Sequence, residues 1–117
     1  MAAEIRDIAP GLWTWRAEHP DWEPGAEWKP LVASTYVESR GEIAVIDPIA
    51  PPDDADEVWA RLDADPPTVL AALKPDHVRD VDRFASRFGS AAYGPSLFWP
   101  HNVPEIEIEI EIEPWAG

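Results

Sequence analysis

The spacing of apolar and polar residues divides the chain into segments of period two and segments of helical period. Glu4 to Ile8 and Leu12 to Trp15 are short apolar or alternating stretches on either side of Pro10-Gly11, which predicts a β-hairpin. Residues 16–30 have no period and hold Pro20, Pro24 and Pro30, so an irregular loop is expected, pinned to the body by Trp22 and Trp28. Leu31 to Glu38 and Glu42 to Ile46 are rich in Val, Ile, Thr and Tyr, with Ser39-Arg40-Gly41 as the turn of a second hairpin. Ile43 to Ile46 is near-continuously apolar, the mark of a strand covered on both faces.

The period then switches. Ala55, Val58, Trp59 and Leu62 form an apolar stripe at helical spacing, and Asp54 with Glu57 three residues on resembles a capping arrangement. Pro66 and Pro67 stop that helix, and Thr68 to Leu73 predicts the next strand. Val78, Val81, Phe84, Ala85 and Phe88 predict a second helix, capped by Asp76 and ended at Gly89. Ala91 to Tyr93 predicts a further short strand, followed by a loop from Pro95 to Pro104. Glu105 to Glu113 alternates Glu and Ile without a break. As a strand this segment sorts Ile to one face and Glu to the other, whereas a helix would set Glu against Glu four apart. Strands alternating with helices imply an α/β fold, a mixed sheet with two helices on one face and a C-terminal Glu/Ile strand. One domain is expected over residues 1–104, with residues 105–117 a low-complexity strand and tail.

Composition narrows the function classes. A chain of 117 residues has single-domain size and buries roughly two-thirds of its unfolded surface. Its 23 acidic and 9 basic residues give a net charge of −14, which repels phosphate and so disfavours nucleic acid and anionic membrane surfaces. The absence of cysteine excludes disulfide scaffolds, thiolate zinc sites and cysteine nucleophiles. No run approaches the roughly 18 apolar residues of a membrane span, and Met1 to Ile8 lacks the apolar core of a signal peptide, so a soluble cytoplasmic protein is expected. The glycines are scattered singly and no serine has a nucleophile-elbow context, which argues against nucleotide binding and serine hydrolysis.

Candidate chemistry concentrates in the turn from Leu73 to Asp80, after a strand and before a helix, where open α/β sheets place ligands. His77, Asp80 three residues on, and Asp47 at the end of the preceding strand are the candidate metal ligands. Each has a simpler reading. His77 sits in a helix's first turn, Asp80 and Asp82 suit a helix amino terminus, and a carboxylate before Pro48 bonds to loop amides. His19, Asp21 and Trp22 form either a pocket wall or an anchor, and His101 is an isolated loop histidine. The glutamates at 105–113 stand about 6.8 Å apart along one face, too far to share one small cation without other oxygens.

Ile8 to Trp13 (IAPGLW), His19 to Trp22 (HPDW), Val45 to Pro48 (VIDP) and Asp76 to Asp80 (DHVRD) with Arg87-Phe88-Gly89, taken in order, resemble the amino-terminal half of the metallo-β-lactamase fold family over roughly Ile5 to Tyr93. The resemblance implies an αββα sandwich of two similar halves that binds one or two metal ions, zinc among them, and hydrolyses esters, thioesters or lactones. Asp47 matches the family's first motif position and His77 the second histidine of HxHxDH. The first histidine's position holds Pro75, the aspartate's holds Arg79 and the last histidine's holds Asp80. A catalytic zinc needs about three protein ligands. Proline offers none, and Arg79 repels a nearby cation. The expectation is a degenerate or truncated member without a competent metal centre, acting through binding or self-association, with no catalytic or cofactor-binding residue assigned. A homodimer is the expected cover for the sheet face that the other half would pack. The alternative is a metal-dependent hydrolase whose site is completed across that homodimer by His77, Asp80 and Asp47 with His101 or His19.

Overall fold

A computed structural model describes residues 3–73, 79–95 and 110–112. Seven strands form one sheet whose spatial order follows the chain: β1 (Glu4–Ala9), β2 (Leu12–Glu18), β3 (Leu31–Ser39), β4 (Glu42–Ile46), β5 (Val69–Ala71), β6 (Ala91–Pro95) and β7 (Ile110–Ile112). The first four strands run antiparallel, and β4 through β7 run parallel. Helices α1 (Asp56–Ala64) and α2 (Val81–Phe88) make the crossovers from β4 to β5 and from β5 to β6. Right-handed crossovers stepping in one direction along a sheet leave both helices on the same face.

Both expected hairpins are present. The second turns at Arg40 (φ 53°) and Gly41 (φ 83°), the pair of left-handed residues that a tight two-residue connection between twisted strands requires. Register then sorts the side chains. On the helix face, Trp13 lies opposite Tyr36, Tyr36 opposite Val45, Val45 opposite Leu70 and Leu70 opposite Ala92. All five are buried, as are Val58, Trp59 and Leu62 of α1 and Val81 and Phe84 of α2. Trp15 is fully enclosed and its ring stacks on Phe84 with centroids 6.1 Å apart, while Trp59 lies 6.1 Å from the same ring. Arg87 caps the outer face of Trp59 at 4.3 Å.

The other face carries two continuous rows. Thr14, Thr35, Ile46, Ala71 and Tyr93 form one, and Leu12, Val37, Ala44, Val69 and Ala91 form the second. Every one of these ten is half-buried. The apolar run at 43–46 led to the expectation of cover on both faces of β4. In the structure only Val45, toward the helices, is buried, and Ile43, Ala44 and Ile46 are half-buried. Uninterrupted apolarity registers what a strand is suited to meet. It does not register whether the partner layer belongs to the same residues.

Local boundaries moved for identifiable reasons. The first helix starts at Asp56 with Ala55 in the cap position and no side-chain cap, so Asp54 does not cap it. Instead the Ala55 amide donates to the Pro52 carbonyl at 2.9 Å. The second helix starts at Val81, and its cap-position residue Asp80 directs its carboxylate elsewhere. Asp76 and Val78 lie outside the described residues, as does the Glu/Ile segment apart from β7, which pairs parallel with β6 in the register Tyr93 to Ile110.

Candidate functional site where β4 and β5 end

Strand β4 ends at Ile46, and the next residue, Asp47, turns the chain with φ 53°. Left-handed backbone costs a non-glycine residue about 1–2 kcal/mol, and aspartate is among the residues that adopt it most readily. The surrounding bonds fix it there. The Asp47 amide donates to the Ala71 carbonyl at 2.7 Å, continuing the β4–β5 ladder. Its carbonyl accepts from Ser34 Oγ and from Arg79 Nη1, each at 2.8 Å, and its Oδ1 accepts from the Leu73 amide at 2.9 Å.

The next three residues are tied as closely. Pro48's carbonyl accepts from the Asp80 amide at 3.0 Å, the Ile49 amide donates to Ser34 Oγ at 2.8 Å, and Trp15 Nε1 donates to the Ile49 carbonyl at 2.9 Å. The Ala50 amide donates to Asp80 Oδ2 at 2.6 Å. Buried backbone polar groups must find partners. Here the partners come from β2, β3, the end of β5 and the residues around α2, so the Asp47–Ala50 segment is fixed from four sides.

Of the candidate ligands, Asp47 and Asp80 are brought to this segment, each with a carboxylate oxygen holding a backbone amide: Asp47 holds the residue that leaves β5, and Asp80 holds Ala50. His77 and His101 lie outside the described residues. His19 does not join them. Its Nδ1 accepts from the Asp21 amide at 3.0 Å and its ring meets Trp28 edge-on at 5.2 Å, while Trp22 Nε1 donates to the Trp28 carbonyl at 2.9 Å. The 19–28 loop is therefore held by its own aromatic residues, the anchor reading.

Arg79 and Ser34 were not singled out as positioning residues by the sequence. Arg79, with φ 45°, places Nη1 between the carbonyls of Asp47 and Ala33, 2.8 Å from each. A guanidinium charge thus lies against the backbone of the residue that would have to ligate a cation, and it opposes a second positive charge nearby. Ser34, fully enclosed, gave no signal in the sequence beyond being a small polar residue next to Thr35 in β3. Among the described residues no group of three His, Cys, Asp or Glu side chains is arranged to hold a metal ion. The described donors are two carboxylates, each with one oxygen on a backbone amide, beside the Arg79 guanidinium, fewer than the three protein ligands of a zinc centre.

A groove of about 450 Å3 opens beside the segment, lined by Asp80, Ala50, Pro51 and Pro52 together with Glu18 and Arg83. A larger hollow of about 670 Å3 lies at the other end of the strands, between Gly11, Trp13, Glu38 and Arg61, and shares no lining residue with the first.

With this geometry in hand, the architecture can be set against solved structures. DIM-1 metallo-β-lactamase superposes with a TM-score of 0.60 at 12% identity, and the same enzyme exposed to ceftazidime with 0.63 at 11%. Each match covers 97% of this chain and 52% of the other. TMB-1, studied for substrate and inhibitor binding, matches with a TM-score of 0.53 at 16% identity over 82% of this chain and 44% of its own. The chain has a partial metallo-β-lactamase fold. It spans about half the length of these metallo-β-lactamases. No family model matches the sequence, and no curated protein does either. At such identities the likeness establishes the fold and leaves the chemistry of the Asp47 segment to its own residues. Among the described residues no helix is long and apolar enough to cross a membrane.

Proposed function

We propose that this chain is a metallo-β-lactamase-fold protein without a competent metal centre, acting through binding or self-association rather than hydrolysis. The observation that carries the reading is Arg79: its guanidinium bridges the Ala33 and Asp47 carbonyls at the strand ends. The Asp47 and Asp80 carboxylates support it, because both hold backbone amides. The segment is built as a structural joint that an internal cation completes. The reading keeps the cytoplasm as the compartment and a second copy of the chain as the partner, and the charge of −14 disfavours nucleic acid and anionic membranes.

The competing reading is a metal-dependent hydrolase of the ester, thioester or lactone class, with His77, Asp80 and Asp47 completed across a homodimer. What favours it is that Asp47 and Asp80 converge on one loop. Elemental analysis of protein purified with zinc present, beside a His77→Ala control, separates the two. The proposed function expects no stoichiometric metal in either protein. About one zinc per chain, lost in His77→Ala, would establish the hydrolase reading in its place.

A further inference from the structure

We propose that the hollow at the opposite end of the strands from Asp47, which the proposed function leaves unassigned, is a binding site for a small hydroxylated amine such as an amino sugar or amino alcohol. The hollow measures about 670 Å3 and lies between the turn joining β1 to β2, the turn joining β3 to β4 and the C-terminal end of α1. Small-molecule sites commonly measure about 300–1,000 Å3.

Its wall presents one buried donor and two acceptors. Only 6% of Trp13 is exposed, yet among the described residues its indole N–H has no hydrogen-bond partner. Enclosed tryptophans usually find one. Trp15 and Trp59 do, donating to the Ile49 and Pro52 carbonyls at 2.9 and 3.0 Å. Among the described residues every side-chain nitrogen or oxygen sealed from solvent is partnered, so the Trp13 N–H meets open space, and the open space that Trp13 lines is this hollow. The exposed carboxylates of Glu38 and Asp65 line it too, and among the described residues neither makes a hydrogen bond or ion pair. Burial first, then the charges of Asp65 and Glu38, hold the Tyr36 hydroxyl above its ordinary pKa, so both carboxylates act on the same part of the wall.

Arg61 is already committed. Its Nη1 and Nη2 donate to the two Asp7 oxygens at 2.7 and 3.2 Å, and its guanidinium lies 5.0 Å from the centre of the Trp13 ring. With Asp7 and Arg61 neutralising one another, the charges of Glu38 and Asp65 remain and favour a cation. The ligand must therefore bring a positive donor for the carboxylates and an acceptor for the indole N–H. An ammonium only donates, whereas a hydroxyl both donates and accepts. A hydroxylated amine carries both groups; a neutral sugar lacks the charge, and a simple alkylamine lacks the acceptor.

Isothermal titration calorimetry of the 117-residue chain with glucosamine, at mildly acidic pH where its amine is charged, tests this beside glucose and methylamine. The expected result is saturable binding of about one glucosamine per chain, millimolar or tighter, with glucose and methylamine each weaker by about tenfold or more. Glu38→Gln combined with Asp65→Asn should weaken glucosamine by roughly tenfold, since bonds to charged groups are the strong ones. Glu23→Gln combined with Glu27→Gln removes the same charge from the 19–28 loop and should leave the affinity unchanged. Trp13→Phe keeps a ring but removes the N–H, and should cost roughly fivefold. If that variant fails to fold, the exposed carboxylate pair still decides. No saturable binding overturns the proposal, as does glucose or methylamine binding as tightly as glucosamine, or an equal loss in the two double variants. Zinc uptake would overturn the non-hydrolytic reading and leave this site standing, because Asp47 and Asp80 do not line the hollow.

Discussion

The two faces of this sheet are built from alternate residues of the same strands and have opposite characters. Toward the helices, Trp13, Trp15, Tyr36 and Leu70 are large and enclosed, and their polar atoms are satisfied: Trp15 Nε1 by Ile49 and the Tyr36 hydroxyl by the Asp65 carbonyl at 3.0 Å. Away from the helices, Thr14, Val37, Ala44 and Ala71 are small, and they are half-buried together with the larger Leu12, Ile46 and Tyr93 of the same rows. A face that packs irregular helices needs bulky, shape-specific side chains, whereas a face meeting another flat layer needs low, branched or small ones. The difference teaches that the large enclosed rings of this sheet are spent where the helices pack, while the opposite face is lined by uncharged side chains that stay half-buried.

If that contrast is right, truncations on the two faces must differ severalfold. Trp15→Ala removes an enclosed ring and orphans the Ile49 carbonyl, and the expected loss is about 3–5 kcal/mol, read as a shift in the urea midpoint. Val37→Ala, in the row opposite the helices, should cost under about 1 kcal/mol. Equal losses would break the comparison. Ser34→Ala comes next. The hydroxyl links the Asp47 carbonyl to the Ile49 amide, and removing it leaves a buried donor unpaired at a cost of about 1–3 kcal/mol. Its neighbour Thr35→Ala should change monomer stability by a few tenths of that.

Most of the layering was legible in the residue pattern because period-two and helical segments report directly on which elements form. Both hairpins, both helices and the strands through Tyr93 follow from it. The caps were less legible. Asp54 and Glu57 have the right spacing, but Ala55 occupies the cap position and its amide is satisfied by Pro52, a tertiary detail that local spacing does not contain. The candidate site was legible in part. Asp47 and Asp80 were marked by their positions at a strand end and a helix start, and they do meet the same segment. Their partners are 26 to 32 residues away along the chain, as with Leu73, Ala50 and Arg79, and no local window spans that separation. Arg79 entered the sequence reading as an obstacle to a metal; its part in holding Ala33 against Asp47 needed the fold.

Arg79 also ties β3 to the turn that follows β4, through the backbone carbonyls of Ala33 and Asp47. Arg79→Ala forfeits two charge-assisted bonds but relieves a left-handed backbone position only slightly, so a loss of roughly 1–2 kcal/mol is expected. Arg79→Lys should recover only part of this: Nη1 alone makes both bonds, so one ammonium can stand in for it, but as a more strongly hydrated charge on a more flexible stem. A zinc titration of Arg79→Ala sharpens the point. With a wild type that takes up no zinc, the same result in Arg79→Ala places the cause in the ligand set, whereas new stoichiometric binding places it in the guanidinium charge.

The smallest expected effect is a pH dependence confined to the helix face. Burial, then the charges of Asp65 and Glu38, hold the Tyr36 hydroxyl above its ordinary pKa of 10.0. The protonated form is therefore the one the fold favours. The stability it contributes is complete below the unfolded value and is lost as pH rises through the folded one. In wild type, the urea midpoint should fall more steeply above pH 10.0 than in Tyr36→Phe, which cannot ionise there. Below that pH the order reverses in cause, because Tyr36→Phe lacks the bond to the Asp65 carbonyl and starts from a lower midpoint. Parallel curves for the two proteins across the alkaline range would mean that Tyr36 ionises as freely as in water. The helix face would then be more open at this end than its packing of Trp13 on Tyr36, with centroids 4.9 Å apart, allows.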